Sequence, residues 1–348
     1  MIIIISHIDT LKINCCLLNA KKFLLDNKNK VNIPIQTIED YYKNKDNELE
    51  MHDQLINDIK TDKLKNLIIY VHMNANFFFK NGKDNDIYIN ELKNLFIVKQ
   101  VKTILYFTDT HNDTYINEKT LNFFDYLLFP SCTFINLFFS KYLCKIYQFP
   151  FSLDETRVHL YSVEFKKRKS KVLLYGSITK EVYPLRTEIY ERVKKKKNKY
   201  IEILEHCGWR NKRHDIFGEK LLKYLSNYKG AIATSSKYPI MYLVSKYVEI
   251  LYCGCLGFFE YHPELDILGL KPFVHYIPIN SSVEETYYTK NGPKKKIFDI
   301  NNINEMIEKY LNSDIGEQIA KKGQLHALNV LSNKARFDQF NKIIGIKN

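Results

Sequence analysis

Lys246 and Glu249 stand three residues apart in Ser245-Lys246-Tyr247-Val248-Glu249-Ile250-Leu251-Tyr252-Cys253-Gly254. On a helix that spacing puts an ammonium and a carboxylate on one face. The segment reads as a short helix that opens at Ser245, stops at Gly254 and runs into the apolar stretch Leu256-Gly257-Phe258-Phe259. Both charges fall in its first turn, where free backbone N–H groups and the helix dipole favour an anion. A carboxylate can accept from two vicinal hydroxyls, and here it would do so beside an ammonium and a phosphate-friendly helix end. A diol next to a diphosphate is what a nucleotide sugar presents. An exposed Lys–Glu pair on an ordinary amphipathic helix fits this segment equally well, so the surrounding elements must decide.

Two more stretches offer suitable groups. Val172-Leu173-Leu174-Tyr175-Gly176-Ser177 reads as a strand ending in a Gly-Ser turn, and Tyr183-Pro184-Leu185-Arg186 follows. Pro184 suits a first helical position, Gly176 would let the backbone approach a phosphate, and Arg186 could bind one bidentately. A plain turn is the alternative. Ala231 to Ser236 reads as a strand ending in Thr-Ser-Ser, before Lys237-Tyr238-Pro239. Ser235 and Ser236 could bind a sugar or phosphate, or cap the next helix. With Tyr238 and Ser245 they complete the candidate binding set.

In the other half, His72 ends Ile68-Ile69-Tyr70-Val71-His72, and Asp109 and His111 follow Phe107-Thr108. Each lies after an apolar run, hence at a strand end, and a histidine there is suited to acid–base work. Asp-Thr-His-Asn-Asp is also turn chemistry in its own right. Trp209, past the Tyr200–His206 run, could stack on a base or simply be part-buried.

What must position these groups is a pair of strand–helix series. The first has apolar runs at Ile2–Ser6, Asn66–His72, Lys102–Thr108, Tyr126–Phe129 and Cys144–Pro150, with helix-length segments at Ile56–Lys65 and Glu91–Lys99 between. Residues 27 to 50 read as a polar, irregular insertion, and the basic run Glu164–Lys171 as a solvated linker. The second series alternates strands Val172–Ser177, Tyr200–His206, Ala231–Thr234, Leu256–Phe259 and Phe273–Ile279 with helices Leu185–Lys197, Phe217–Asn227 and Ser245–Cys253. Helices Ile303–Leu311, Gly316–Leu331 and Lys334–Ile343 close the chain. Short continuous apolar strands alternating with helices predict parallel sheets covered on both faces, with ligands at the carboxyl ends of the strands.

The 348 residues suit two domains of ordinary size, and 45% hydrophobic content excludes a disordered chain. The net charge of +13 invites a nucleic-acid partner, yet the abundance of Ile, Asn, Lys, Tyr and Phe is also what A/T-rich codons supply. Seven cysteines without a paired C-x-x-C spacing predict reduced thiols and a reducing, cytoplasmic home. Neither a signal peptide nor a membrane span is read in the sequence.

From Gly176 to Arg186, then Lys246-x-x-Glu249-x-x-x-Cys253-Gly254, Glu260, Leu268-Gly269 and Phe273–Ile279, residues 172 to about 345 resemble the nucleotide-binding domain of the group 1 (GT4-like) glycosyltransferases. The nearest branch is the spore-maturation and spore-coat type. The resemblance implies an α/β, GT-B-like fold, two Rossmann-like doubly wound domains facing a central cleft: 1–165 on the acceptor side, 166–333 for the nucleotide sugar, and a helix at 334–348 crossing back. It implies Glu249 on the ribose hydroxyls, the Gly176 loop, Arg186 and Lys246 around the diphosphate, and a retaining transfer with no metal or other cofactor. The chain departs from the pattern at Met241, where many members carry an acidic residue for the transferred sugar. The acceptor (glycan, protein or nucleic acid) and the oligomeric state stay open. The rival readings are an epimerase or hydrolase of the same fold and a basic nucleic-acid-binding protein.

Overall fold

The structure, a computed structural model, describes residues 1–6, 22–31, 33–43, 47–72, 78, 86–107, 118–131, 145–195, 198–206, 215–236, 243–279, 284–289, 292–297 and 301–346. Two parallel sheets carry it. The first runs in the order β2-β1-β3-β4-β5-β6, from β1 (Ile2–Ser6), β2 (Ile35–Thr37), β3 (Ile68–His72), β4 (Lys102–Tyr106), β5 (Tyr126–Phe129) and β6 (Ile146–Gln148). All of its pairings are parallel. Alternation along a strand feeds two cores. Ile3 and Ile5 pack with helices α1 (Glu48–Lys60) and α2 (Asp86–Val98), while Ile2 and Ile4 face Phe23, Phe149 and the last helix.

The second sheet runs β11-β10-β9-β7-β8, from β7 (Lys169–Tyr175), β8 (Ile201–Leu204), β9 (Tyr228–Ala233), β10 (Leu256–Glu260) and β11 (Ile277–Ile279). Leu173 and Tyr175 point into one core, with the buried helix α5 (Lys246–Tyr252). Val172 and Leu174 point into the other, with α3 (Pro184–Lys195), α7 (Asn301–Tyr310) and part of α8 (Asp314–Val330). In each sheet the winding reverses once, between β1 and β3 and between β7 and β9. These are the switch points where open α/β sheets bind ligands.

The last helix, α9 (Asn333–Ile344), packs Phe337, Phe340 and Ile344 on the first sheet. The outgoing and returning chains run side by side at Leu153 and Ser332, where Leu153 N donates to Leu331 O (3.2 Å) and Asn333 N to Leu153 O (3.0 Å). The carboxyl ends of the sheets meet. Leu243, just before α5, donates its N–H to Ser131 Oγ beyond β5 at 2.9 Å, and Gln148 at the end of β6 bonds Glu264 in the short helix α6 (Pro263–Ile267) beyond β10.

Several sequence readings need correction. The run 164–171 is no solvated linker: Phe165 and Arg168 are buried, and Arg168 donates from Nη1 to Gly254 O (2.9 Å) and from Nε to Val163 O (2.9 Å). Residues 27 to 50 include the edge strand β2 and the start of α1, not a structureless insertion. Residues 273–275 form a turn and only Ile277–Ile279 is strand. A short helix α4 (Glu219–Leu225) replaces the longer one read over 217–227. The antiparallel pair Glu284–Thr289 and Gly292–Ile297 was not anticipated. Among the described residues no helix is long and apolar enough to cross a membrane.

Candidate functional site at the second switch point

β7 ends at Tyr175 and hands over to Gly176, whose φ of +104° is open to glycine and strained for other residues. A Cβ on Gly176 would run into the Lys246 side chain, 2.8 Å from its Nζ, and lie 3.3 Å from Arg186 Nη1. Backbone, ammonium and guanidinium therefore converge on one point at the strand end. Lys246 Nζ also sits 5.3 Å from the centroid of the Tyr175 ring, a cation–π distance.

Pro184 opens α3 as its first residue, and the helix delivers Arg186 into the interior, 1% exposed. Its Nη1 donates to Ser177 O (3.0 Å), its Nη2 to Thr234 O (3.2 Å), and the guanidinium lies 3.9 Å over the Tyr183 ring. Arg186 thus ties the loop after β7 to the loop after β9. Ser177 Oγ meets Thr179 Oγ1 at 3.1 Å. Across the switch point Thr234, Ser235 and Ser236 are all buried, and Ser235 N donates to Glu260 Oε2 at 2.9 Å. Glu260 O accepts from the Tyr247 hydroxyl at 2.9 Å. Burial lifts that hydroxyl's pKa well above the ordinary range; Glu260 adds to the shift and Arg186 opposes it.

Glu249 is the group on which the site turns. It is 2% exposed, because α5 is buried from Tyr247 to Tyr252. Tyr175 donates its hydroxyl to Oε2 and Ser245 donates its hydroxyl to Oε1, each at 3.0 Å. Burying a carboxylate is costly unless hydrogen bonds compensate, and apolar replacements of buried charges are often as stable. An acid held by two neutral hydroxyls among the buried residues of α5 is a poor choice for stability alone.

Of the expected binding residues, Gly176, Ser177, Arg186, Ser235, Ser236, Ser245, Lys246 and Glu249 come together around the ends of β7 and β9. Tyr238 lies outside the described residues, as does Met241. On the first sheet His72 sits at the switch point, paired in register with Ser6, buried, and stacked on Tyr106 at 5.6 Å and 30°. Asp109 and His111 lie outside the described residues, as does Trp209. Tyr175 and Glu260 were not singled out as site groups. The available signal was position: each is the last residue of a strand that ends at the site.

No family model matches the chain, and comparison with curated proteins returns no match. Solved structures do match. HepE from Anabaena in complex with UDP-glucose aligns over 99% of both chains with a TM-score of 0.55 at 10% identity. The same protein in complex with UDP gives 0.56 at 9%. TarM aligns over 84% of this chain and 58% of its own, with a TM-score of 0.50 at 11% identity. At such identities the likeness is one of fold: two Rossmann-like parallel sheets facing a cleft, the GT-B arrangement.

Proposed function

We propose that this chain is a glycosyltransferase that takes a sugar from a nucleoside diphosphate, with a UDP-sugar as the first donor to test. The observation that carries the reading is the convergence of Gly176, Lys246, Arg186 and the buried Glu249 at the switch point of the second sheet. HepE, of the same fold, binds UDP-glucose and UDP, which supports the choice of nucleotide. In this reading Glu249 accepts from the ribose diol, and Lys246 and the Arg186-braced loop surround the diphosphate. Fixed positive groups stabilise charge as it develops on the departing phosphate, which they do best where water is excluded. We assign them that task without a metal, and we propose retention at the sugar and membership of the spore-coat-type branch on the strength of the motif.

On the facing sheet His72, Asp109 and His111 are the proposed acid–base groups, and the two sheets with their helices are proposed as domains 1–165 and 166–333. The acceptor is left open. The burial of Cys253 and Cys255 in the core supports a reducing compartment. Burial pushes the Cys255 thiol up to about 11, against Arg168, so it stays protonated.

Calorimetry with UDP, GDP and their sugars tests the reading. A charged hydrogen bond is worth about 1.5–3 kcal/mol, so Glu249→Ala is expected to weaken the bound nucleotide by roughly tenfold to a hundredfold. Unchanged affinity in that variant would remove Glu249 from the site.

A further inference from the structure

We propose that Tyr175 and Ser245 are positioning residues of this site: their hydroxyls hold the Glu249 carboxylate ready for a diol, and the Tyr175 ring seats Lys246 beside it. The proposal rests on reading the site as one for a nucleotide sugar, and it adds how the acid and the ammonium are assigned to different parts of that ligand.

The reasoning starts from lone pairs. An ionised carboxylate has about four acceptor sites, two on each oxygen. Tyr175 occupies one on Oε2 and Ser245 one on Oε1, each at 3.0 Å. One site per oxygen remains, which is the number and placement that two vicinal hydroxyls require. The donors are also neutral. At a spacing of three on a helix, Lys246 and Glu249 are natural ion-pair partners, and a closed pair would occupy the carboxylate and cancel its charge. Among the described residues the partners of Glu249 are the two hydroxyls. Lys246 Nζ instead lies 5.3 Å from the Tyr175 ring centroid and against Gly176. Tyr175 thus touches both charged groups, the acid through its oxygen and the ammonium through its face.

Its place in the fold makes it a rigid template. Tyr175 is the last residue of β7, buried in the core that α5 shares. Burial foremost, and Glu249 next, raise its hydroxyl well above the ordinary range. It therefore keeps its proton and always donates to the carboxylate.

The test is a calorimetric titration of the full chain with UDP and with 2′,3′-dideoxy-UDP, whose ratio of affinities reads the diol alone. Tyr175→Phe keeps the ring and loses the hydroxyl, and Ser245→Ala removes the other donor. In each variant we expect the preference for UDP to shrink by about ten- to a hundredfold, the worth of one charged hydrogen bond, with binding of the dideoxy nucleotide unchanged. A loss shared equally by both ligands, or no loss, in a folded variant overturns the positioning role. Should Tyr175→Phe fail to fold, Ser245→Ala decides by the same ratio. Wild-type protein that binds neither UDP nor GDP overturns the reading of the site itself, and this inference with it; binding by wild type with unshifted ratios overturns this inference alone.

Discussion

Where β7 and β9 part, two hydroxyls, a carboxylate, an ammonium and a guanidinium meet around a glycine. Where β1 and β3 part, His72 stacks on Tyr106, Tyr106 packs on Phe149 at 5.3 Å, and Phe149 lies 5.7 Å from the Arg336 guanidinium. Burial lowers Arg336 to about 10. The one switch point is set by hydrogen bonds 3.0 Å long, the other by aromatic faces and by a helix brought back from the end of the chain. Hydrogen-bonded geometry should respond to single atoms and packed geometry to volume, which separates the two experimentally.

The largest expected effect comes from volume in the first sheet. Phe340 on α9 is fully buried, with ring centroids 5.6 Å from Phe23 and 5.8 Å from Tyr70. Phe340→Ala is expected to cost about 3–5 kcal/mol of stability. If the contrast holds, urea unfolding followed by tyrosine fluorescence shows the loss, while UDP affinity measured below the transition persists. A parallel loss of nucleotide binding would mean that the second site depends on the packing of the first.

A single methyl group probes the other side. Gly176→Ala would hold a side-chain residue at a φ of +104° and press its Cβ on Lys246. Strain of this kind is worth roughly 1–3 kcal/mol, so nucleotide affinity should fall about five- to a hundredfold. Calorimetry beside a melting curve separates lost binding from lost fold, and a variant that binds as wild type would show the glycine to be an ordinary turn.

The same contrast governs what was legible in the sequence. Strands buried on both faces are continuous apolar runs, so Val172–Ser177 and Leu256–Phe259 point directly to β7 and β10. The i,i+3 pair marks α5 to within a residue at each end. Strand β2 is three residues long at the edge of the sheet and lacks such a run. The pair 284–289 and 292–297 is rich in Tyr, Thr and Lys; the Asn291-Gly292 dipeptide was its available signal. In the basic run 164–171 the buried Arg168 is masked by its lysine neighbours, since a formal charge does not disclose which cation reaches backbone carbonyls. Tyr175 is harder still. Its apolar bulk fits the strand, and its hydroxyl acquires a purpose only when α5 brings Glu249 to it from 74 residues away.

The smallest effect lies in the passage between the two regions. Arg157, in the 3-10 segment Glu155–Tyr161, donates from both Nη atoms to Glu219 at the start of α4, with Nη2 to Oε2 at 2.9 Å. The Arg157 hydrogen bond holds the Glu219 carboxyl below its usual range, with burial opposing. A carboxylate depressed in the folded state adds stability above its unfolded pKa, near 4.3, and loses it as pH falls through the lower folded value. The side chains are 33% and 47% exposed, so solvent screens much of the attraction; the pair is worth about half a kcal/mol. Arg157→Ala should therefore differ from wild type by that amount at pH 7 and converge with it on acidification toward pH 3. A gap that persists in acid would show that Arg157 acts by packing on the connection, and the link between the regions would then be steric.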